Sequence, residues 1–273
     1  MKSKNKFTMY YVLIGIVLSV VLVPYIWMIL TSLKPYAVQQ AREPIWIFKP
    51  VVENYFIVLA EKGYYRNLIN NIIVSGNATV LAMAIGIPAA YAFSRFHLFG
   101  GKQLMFFTLI ATMIPPIGLA FPLYFFLKQL NLVGTRLGLI LAHGSFLVGT
   151  LIWVVKSFMD GVPRELDEAA KIDGAGLFIT FIYIIVPLVK PGIAAVSIII
   201  FIFSWNEFMV ALILTSGRTQ TLPVVIPSLL QHTGTLWGQV SALGVLETIP
   251  IAVICLFALK YLVRGLTFGA VKQ

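Results

Sequence analysis

The sequence predicts an all-α polytopic membrane protein, a bundle of six transmembrane helices with a charged helix-turn-helix loop set between the fourth and the fifth. Three observations predict it. Hydrophobic residues make up 59% of the 273 and charged residues only 11%, against about a quarter charged in an ordinary soluble domain. Apolar runs of membrane-spanning length, roughly 20 residues each, recur along the whole chain. The single cysteine, Cys255, has no partner for an intrachain disulfide, so helix packing must carry the fold.

The elements follow in order. The first run, 10–33, comes after Met1-Lys2-Ser3-Lys4-Asn5-Lys6 and could pass for a signal peptide. It is too long for one and lacks a small-x-small cleavage site, so a retained first helix is expected. With the mixed-charge loop that follows, it makes up region 1–66, and 67–273 forms a core of five helices. The second and third spans are expected at 69–94 and 104–128, joined by a short loop carrying Arg95 and Lys102. The fourth falls at 137–158, the fifth at 191–214 and the sixth at 243–263. Prolines punctuate these runs at Pro88, Pro115-Pro116, Pro122, Pro191 and Pro250, and each removes a backbone hydrogen bond that lipid cannot replace. A single such proline reads as ordinary irregularity of a membrane helix; the Pro115-Pro116 pair is the best candidate for a functional kink.

An even number of spans puts both termini on one side of the membrane. Lys2, Lys4 and Lys6 at one end, with Arg264 and Lys272 at the other, mark that side as the cytoplasm. The net charge of +10 is scattered between apolar runs rather than gathered in a tract, so lipid is the expected surrounding and nucleic acid is not an expected partner. No His, Cys, Asp and Glu grouping has metal-ligand spacing, and no serine, histidine and acid arrangement suggests hydrolysis. A phosphate-binding Gly-x4-Gly-Lys-Ser/Thr loop is also missing, so a transport subunit without a metal or bound cofactor is expected rather than an enzyme.

The charged break at 160–190 is the most informative stretch. Asp160-Gly161-Val162-Pro163 ends the fourth span, and Pro163 can open a helix where its missing N–H costs nothing. Glu165, Asp167 and Glu168 then fall in the first turns, where the helix dipole favours carboxylates. Ala169 and Ala170 propagate a helix yet leave its face open to close approach, and Gly174 can take the left-handed conformation that stops it. A second, apolar helix is expected from about 177 to 185, leading to Pro187 and the fifth span. Taken alone, this is a compact helix-turn-helix knob, or a solvated loop helix.

The spacing decides between them. Glu168-Ala169-Ala170-Lys171-Ile172-Asp173-Gly174, followed after nine residues by Ile184-Ile185-Val186-Pro187, closely resembles the EAA motif of ABC importer permeases, with Val186 where leucine is usual. The resemblance covers the chain from about residue 67. Ala89-Ala90-Tyr91-Ala92-Phe93-Ser94-Arg95, Trp205-Asn206-Glu207-Phe208 and the tail Gly265 to Lys272 are similar to the carbohydrate-uptake branch, the family of the smaller maltose-transporter permease. It implies that Glu168, Ala169, Ala170, Asp173, Gly174 and Pro187 couple this chain to a separate ATPase holding ATP and Mg. It also implies a homologous second permease, two ATPase subunits and an extracellular or periplasmic sugar-binding protein as partners. In such permeases the tail, here with Gly269 and Lys272, touches the ATPase interface, although a frayed terminus has the same composition.

Within the spans, Trp205, Asn206 and Glu207 combine an aromatic face, an amide and a carboxylate, the groups that recognise sugar hydroxyls and C–H faces. A carboxylate inside a span costs a few kcal/mol and needs a cavity or a partner, so a helix-packing network fits them equally. Glu247 is a second buried acid, directed at substrate or at a neighbouring subunit, and His143 and Ser145 read first as packed residues. The loop 215–239, with Gly217, Pro223, His232 and Trp237, is placed to contact the binding protein, as in related permeases, or simply to connect two spans. Alternatives to sugar import are an importer permease for another solute and a transporter driven by an ion gradient, the latter requiring inverted repeats and a midplane ionisable pair.

Overall fold

Helices account for every regular element in the structure, a computed structural model that describes residues 2–41, 43–230 and 235–268. The main ones are α1 (Lys2–Ser32), α2 (Tyr65–Arg95), α3 (Gly101–Met113), α4 (Pro116–Gln129), α5 (Arg136–Asp160), α6 (Glu165–Ile172), α7 (Leu177–Trp205), α8 (Met209–Leu214) and α9 (Trp237–Phe268). Among the described residues five helices are long and apolar enough to cross a membrane, and α3 with α4 make a sixth if counted as one broken span. The first, second and fourth spans lie within a few residues of their expected positions.

The third and fifth do not. The expected single span at 104–128 is α3 and α4, which meet at 103°. Ile114 and Pro115 each precede a proline, and the proline ring pushes the preceding residue out of the helical region; both are extended, with ψ of 124° and 135°. Two such residues in succession make a corner rather than a kink. The expectation of a separate second helix at about 177–185, leading to Pro187 and a fifth span at 191–214, is corrected. Residues 177–205 form one span, because a π-helical turn at Thr180–Ile185 hands the chain to a new α segment at Val186. Pro187 therefore sits in a first turn, where its missing N–H is tolerated. The break comes later, at Asn206–Phe208, before α8. The sixth span begins at Trp237, six residues earlier than the expected 243.

The chain divides into two compact units. The smaller comprises Met1–Arg66 and Val225–Ile249. Its α1 has no buried residue across its apolar window, as suits a helix surrounded by lipid or by another chain. Below it Asn54 Nδ2 donates to the Ser32 and Lys34 carbonyls at 2.8 and 3.0 Å, and Gln39 Oε1 accepts from Gly238 N at 2.8 Å. Lys34 Nζ lies 4.4 Å from the centre of the Trp27 ring.

The larger unit, Asn67–Val224 with Pro250–Gln273, holds the packed core. Ala82, Ala90, Leu151, Val155, Ile185, Val189 and Ile200 interlock α2, α5 and α7. A second cluster around Val74, Leu127, Leu139 and Leu214 joins α4 and α8 to α2 and α5. Close approach depends on small residues, as in other membrane bundles. A Cβ on Gly192 would lie 2.5 Å from the Phe158 ring, and one on Gly149 would lie 2.9 Å from the Thr108 carbonyl oxygen.

Candidate functional site

The charged knob is built as its residues require. Glu165, Asp167 and Glu168 occupy the first turn of α6, and Gly174, at φ +82°, stops it. Gly174 N donates to Lys171 O at 3.1 Å and Ala175 N to Ala170 O at 2.8 Å, which together satisfy the last carbonyls of the helix in a Schellman arrangement. Ala170 and Asp167 face inward and are buried. Glu168, Ala169, Asp173 and Gly174 are exposed, and so is Pro187 beyond them. Beside them lies uncovered apolar surface: Ile172 is 87% exposed, and Leu177, Phe178 and Tyr183 are also open. The exposed half of this motif therefore contributes nothing to the chain's own core.

What fixes α6 in place was not assigned a role in the sequence. Asp167 Oδ2 lies 2.9 Å from Arg95 Nε, and its Oδ1 accepts from Tyr91 OH at 3.1 Å. Arg95 also donates to the Val162 carbonyl at 3.0 Å, and Arg164 returns a bond to the Ser94 carbonyl at 3.2 Å. Ser94 Oγ donates to Asp160 Oδ1 at 2.7 Å, while Lys156 Nζ pairs with Asp160 Oδ2 at 2.6 Å. Both side chains of the Arg95–Asp167 pair are nearly buried, at 7% and 12% exposure, so the pair is shielded from water and salt in a way that surface pairs are not. Tyr91 packs its ring 4.9 Å from Phe181, tying the same corner to α7. A cleft of about 190 Å³ opens here, lined by Arg95, Arg164, Asp167, Glu168 and Lys171 among others. The signal was present in the sequence, since Tyr91, Ser94 and Arg95 end the Ala89–Arg95 motif; only the fold shows that they meet Asp167.

The residues proposed to face a sugar divide. Trp205 is fully buried, its ring stacked on Phe201 with centroids 5.6 Å apart, and its carbonyl accepts from Asn71 Nδ2 at 3.2 Å. Asn206 is exposed and donates to Ile202 O at 2.8 Å. Glu207 turns back onto the chain: its carboxylate accepts from Val210 N at 2.8 Å and Ala211 N at 2.9 Å, capping α8. His143 of α5 reaches both sides of the break, with Nδ1 2.8 Å from Ser204 Oγ and Nε2 3.3 Å from Glu207 Oε2. Glu207 and Trp205 are thus both engaged within the helix packing, and Asn206 alone of the three is open. Ser145 bonds locally to Ala142 O, and Glu247 is half-buried on α9.

Along the segment expected to meet a binding protein, Gly217 is exposed in a 3₁₀ turn and Pro223 is buried in a short helix. Trp237, which opens α9, is 54% exposed. His232, Gly269 and Lys272 lie outside the described residues. The chain before Pro223 is anchored by asparagines: Asn67 donates to Gln220 O at 2.9 Å, and Asn70 to Arg218 O and Gln220 O, both at 2.8 Å. Arg136 Nε in turn donates to Asn70 Oδ1 at 2.8 Å.

Known proteins are similar to this chain in sequence and in fold. Residues 82–268 match the family described as binding-protein-dependent transport system inner membrane component. The trehalose/maltose transport system permease protein MalG of Thermococcus litoralis is 36% identical over 273 residues, covering 95% of both chains. The trehalose transport system permease protein SugB of Mycobacterium tuberculosis is 34% identical over 271 residues, covering 97% of both. A chain of a bacterial ABC transporter that imports the acidic polysaccharide alginate superposes with a TM-score of 0.79 at 20% identity, over 96% of this chain and 98% of that one.

Proposed function

Because the chain belongs to the family of binding-protein-dependent transport system inner membrane components, we propose that it is one of two permease subunits in an ATP-driven importer of a di- or oligosaccharide. Its sugar assignment is supported by the trehalose and maltose permeases, which it matches over 95% and 97% of its length. The observation that carries the mechanism is the exposed half of the α6 motif, with Glu168, Ala169, Asp173 and Gly174 set beside an open Ile172. A small-residue face flanked by uncovered apolar side chains suits insertion into a cleft of another protein.

In this reading two ATPase subunits hold ATP and Mg, and one of them receives α6. A homologous permease completes the pore, and a periplasmic or extracellular sugar-binding protein delivers cargo through contacts with the loop 215–239, which includes Gly217 and Trp237. Both termini and α6 lie on the cytoplasmic side, and the tail with Gly269 and Lys272 adds a second contact to the ATPase. Region 67–273 is the permease core, and 1–66 supplies an outer helix and loop.

The test is reconstitution of the assembled complex in proteoliposomes with its binding protein. Trehalose or maltose is expected to stimulate ATP hydrolysis and to enter the vesicles. A binding protein that ignores a panel of di- and oligosaccharides but binds amino acids would overturn the sugar assignment.

A further inference from the structure

The two polar clusters of the larger unit lie at opposite ends of one helix. At the Arg95 end of α2, Tyr91 and Arg95 hold Asp167 of α6, while Arg164 is bonded back to Ser94 O. At the other end, Asn67 and Asn70 hold the carbonyls of Arg218 and Gln220. About 42 Å of helix separates Asn67 from Arg95, at roughly 1.5 Å per residue.

Between these ends α2 is apolar or self-contained. Thr79 bonds to Ser75 O and Asn77 to Ile73 O, both within the helix, and Asn71 is the exception, reaching Trp205 O. Val74, Ala78, Ala82 and Ala90 are fully buried, so the helix is gripped along its length. Pro88 removes one backbone bond near the Arg95 end. Two residues before it, Gly86 lies so close to Leu151 that an added Cβ would come within 2.5 Å of that side chain, and this packing supports the helix against α5. Side-chain bonds to other elements are thus concentrated at the two termini, as expected of a part that transmits displacement.

We infer that α2 is a mechanical link that carries movement of α6 to the 216–221 segment, with Tyr91, Arg95 and Asp167 as the joint at one end and Asn67 and Asn70 as the joint at the other. These are positioning residues. The inference rests on the reading of α6 as the ATPase-docking helix, and it adds a route from that helix to the face proposed to meet the binding protein. Movement biases the 216–221 segment because the Asn67 and Asn70 amides hold its carbonyls; breaking either joint removes that bias without altering the groups exposed for docking.

The experiment uses the full complex with Cys255→Ser and a spin label on Arg218→Cys, whose side chain is exposed. ATP with Mg is the probe, and hydrolysis is measured in the same sample. In the unaltered complex ATP is expected to shift the label's spectrum. Tyr91→Phe, which removes only the hydroxyl bonded to Asp167, should reduce the shifted fraction about tenfold, the equivalent of one hydrogen bond to a charged group. Asn67→Ala, at the other joint, should reduce it similarly, and because partial failures of joints in series multiply, the double variant should fall well below either single one. Full response in either single variant, or a double variant that responds no less than the more impaired single one, overturns the link. A spectrum that never responds while ATP is hydrolysed also overturns it, since no movement then reaches the segment. Absence of hydrolysis in the unaltered complex strikes instead at the docking reading and at the link that rests on it.

Discussion

Replacing Glu207 by alanine tests whether this acid serves the sugar or the fold. The carboxylate has a side-chain exposure of 15% and accepts from two backbone donors, Val210 N and Ala211 N, as well as facing His143 Nε2. Its removal leaves two N–H groups without partners at the start of α8 and strips His143, only 1% exposed, of one neighbour. An orphaned buried donor costs about 1–3 kcal/mol, and hydrogen bonds within membrane bundles average about 0.6 kcal/mol, so the lower half of that range applies. Three lost contacts, at about 1–2 kcal/mol each, then amount to about 3–6 kcal/mol. At roughly 2–4 °C per kcal/mol for a chain of this size, the apparent melting temperature in detergent should fall by about 6–24 °C. Asn206→Ala is the control: its side chain is exposed and bonds only to Ile202 O, so its melting temperature should stay within about 2 °C, as for other surface substitutions. The assay is thermal unfolding of the purified complex, read alongside sugar uptake. If Glu207→Ala melts like the unaltered protein while uptake weakens, the capping argument is wrong and Glu207 returns to the substrate path.

Two further predictions concern small residues. Ala169→Leu adds bulk on an exposed face, so membrane abundance should be unchanged while transport falls at least tenfold, whereas Gly174→Ala should cost about 1–2 kcal/mol of stability through its φ of +82°. Normal transport by Ala169→Leu would remove the docking argument, and an unshifted melting curve for Gly174→Ala would remove the strain argument. Gly192→Ala should destabilise the core by about 1–3 kcal/mol, because its Cβ would meet the Phe158 ring at 2.5 Å; a melting temperature equal to that of the unaltered protein would show that the ring can move away.

Most of the fold could be read from local chemistry. Apolar run length located the first, second and fourth spans, because the thickness of a bilayer sets the length of a helix regardless of its neighbours. Pro163, the acidic first turn and Gly174 located α6 for equally local reasons. The residue pair Pro115-Pro116 signalled a break, yet its angle depended on two successive extended residues and on what α3 and α4 pack against. The fifth span was misplaced because a window of hydropathy cannot register a π-helical turn that carries a helix through Pro187.

The sequence by itself determined the class of the protein and, through the EAA spacing, its transport role, and it located the seven-residue stretch proposed to face a partner. These follow from composition, spacing and backbone preference, all of which act within a few residues. Only the tertiary structure decided what holds that stretch and what the buried acids do. Asp167 meets Arg95 across 72 positions of sequence, and Glu207 meets His143 across 64. A carboxylate in an apolar chain announces that it needs a partner, but which donor satisfies it is settled by the packing of helices distant in sequence. In that packing Glu207 closes a helix end, and Asp167 ties α6 to a helix whose far end holds the opposite face of the same unit.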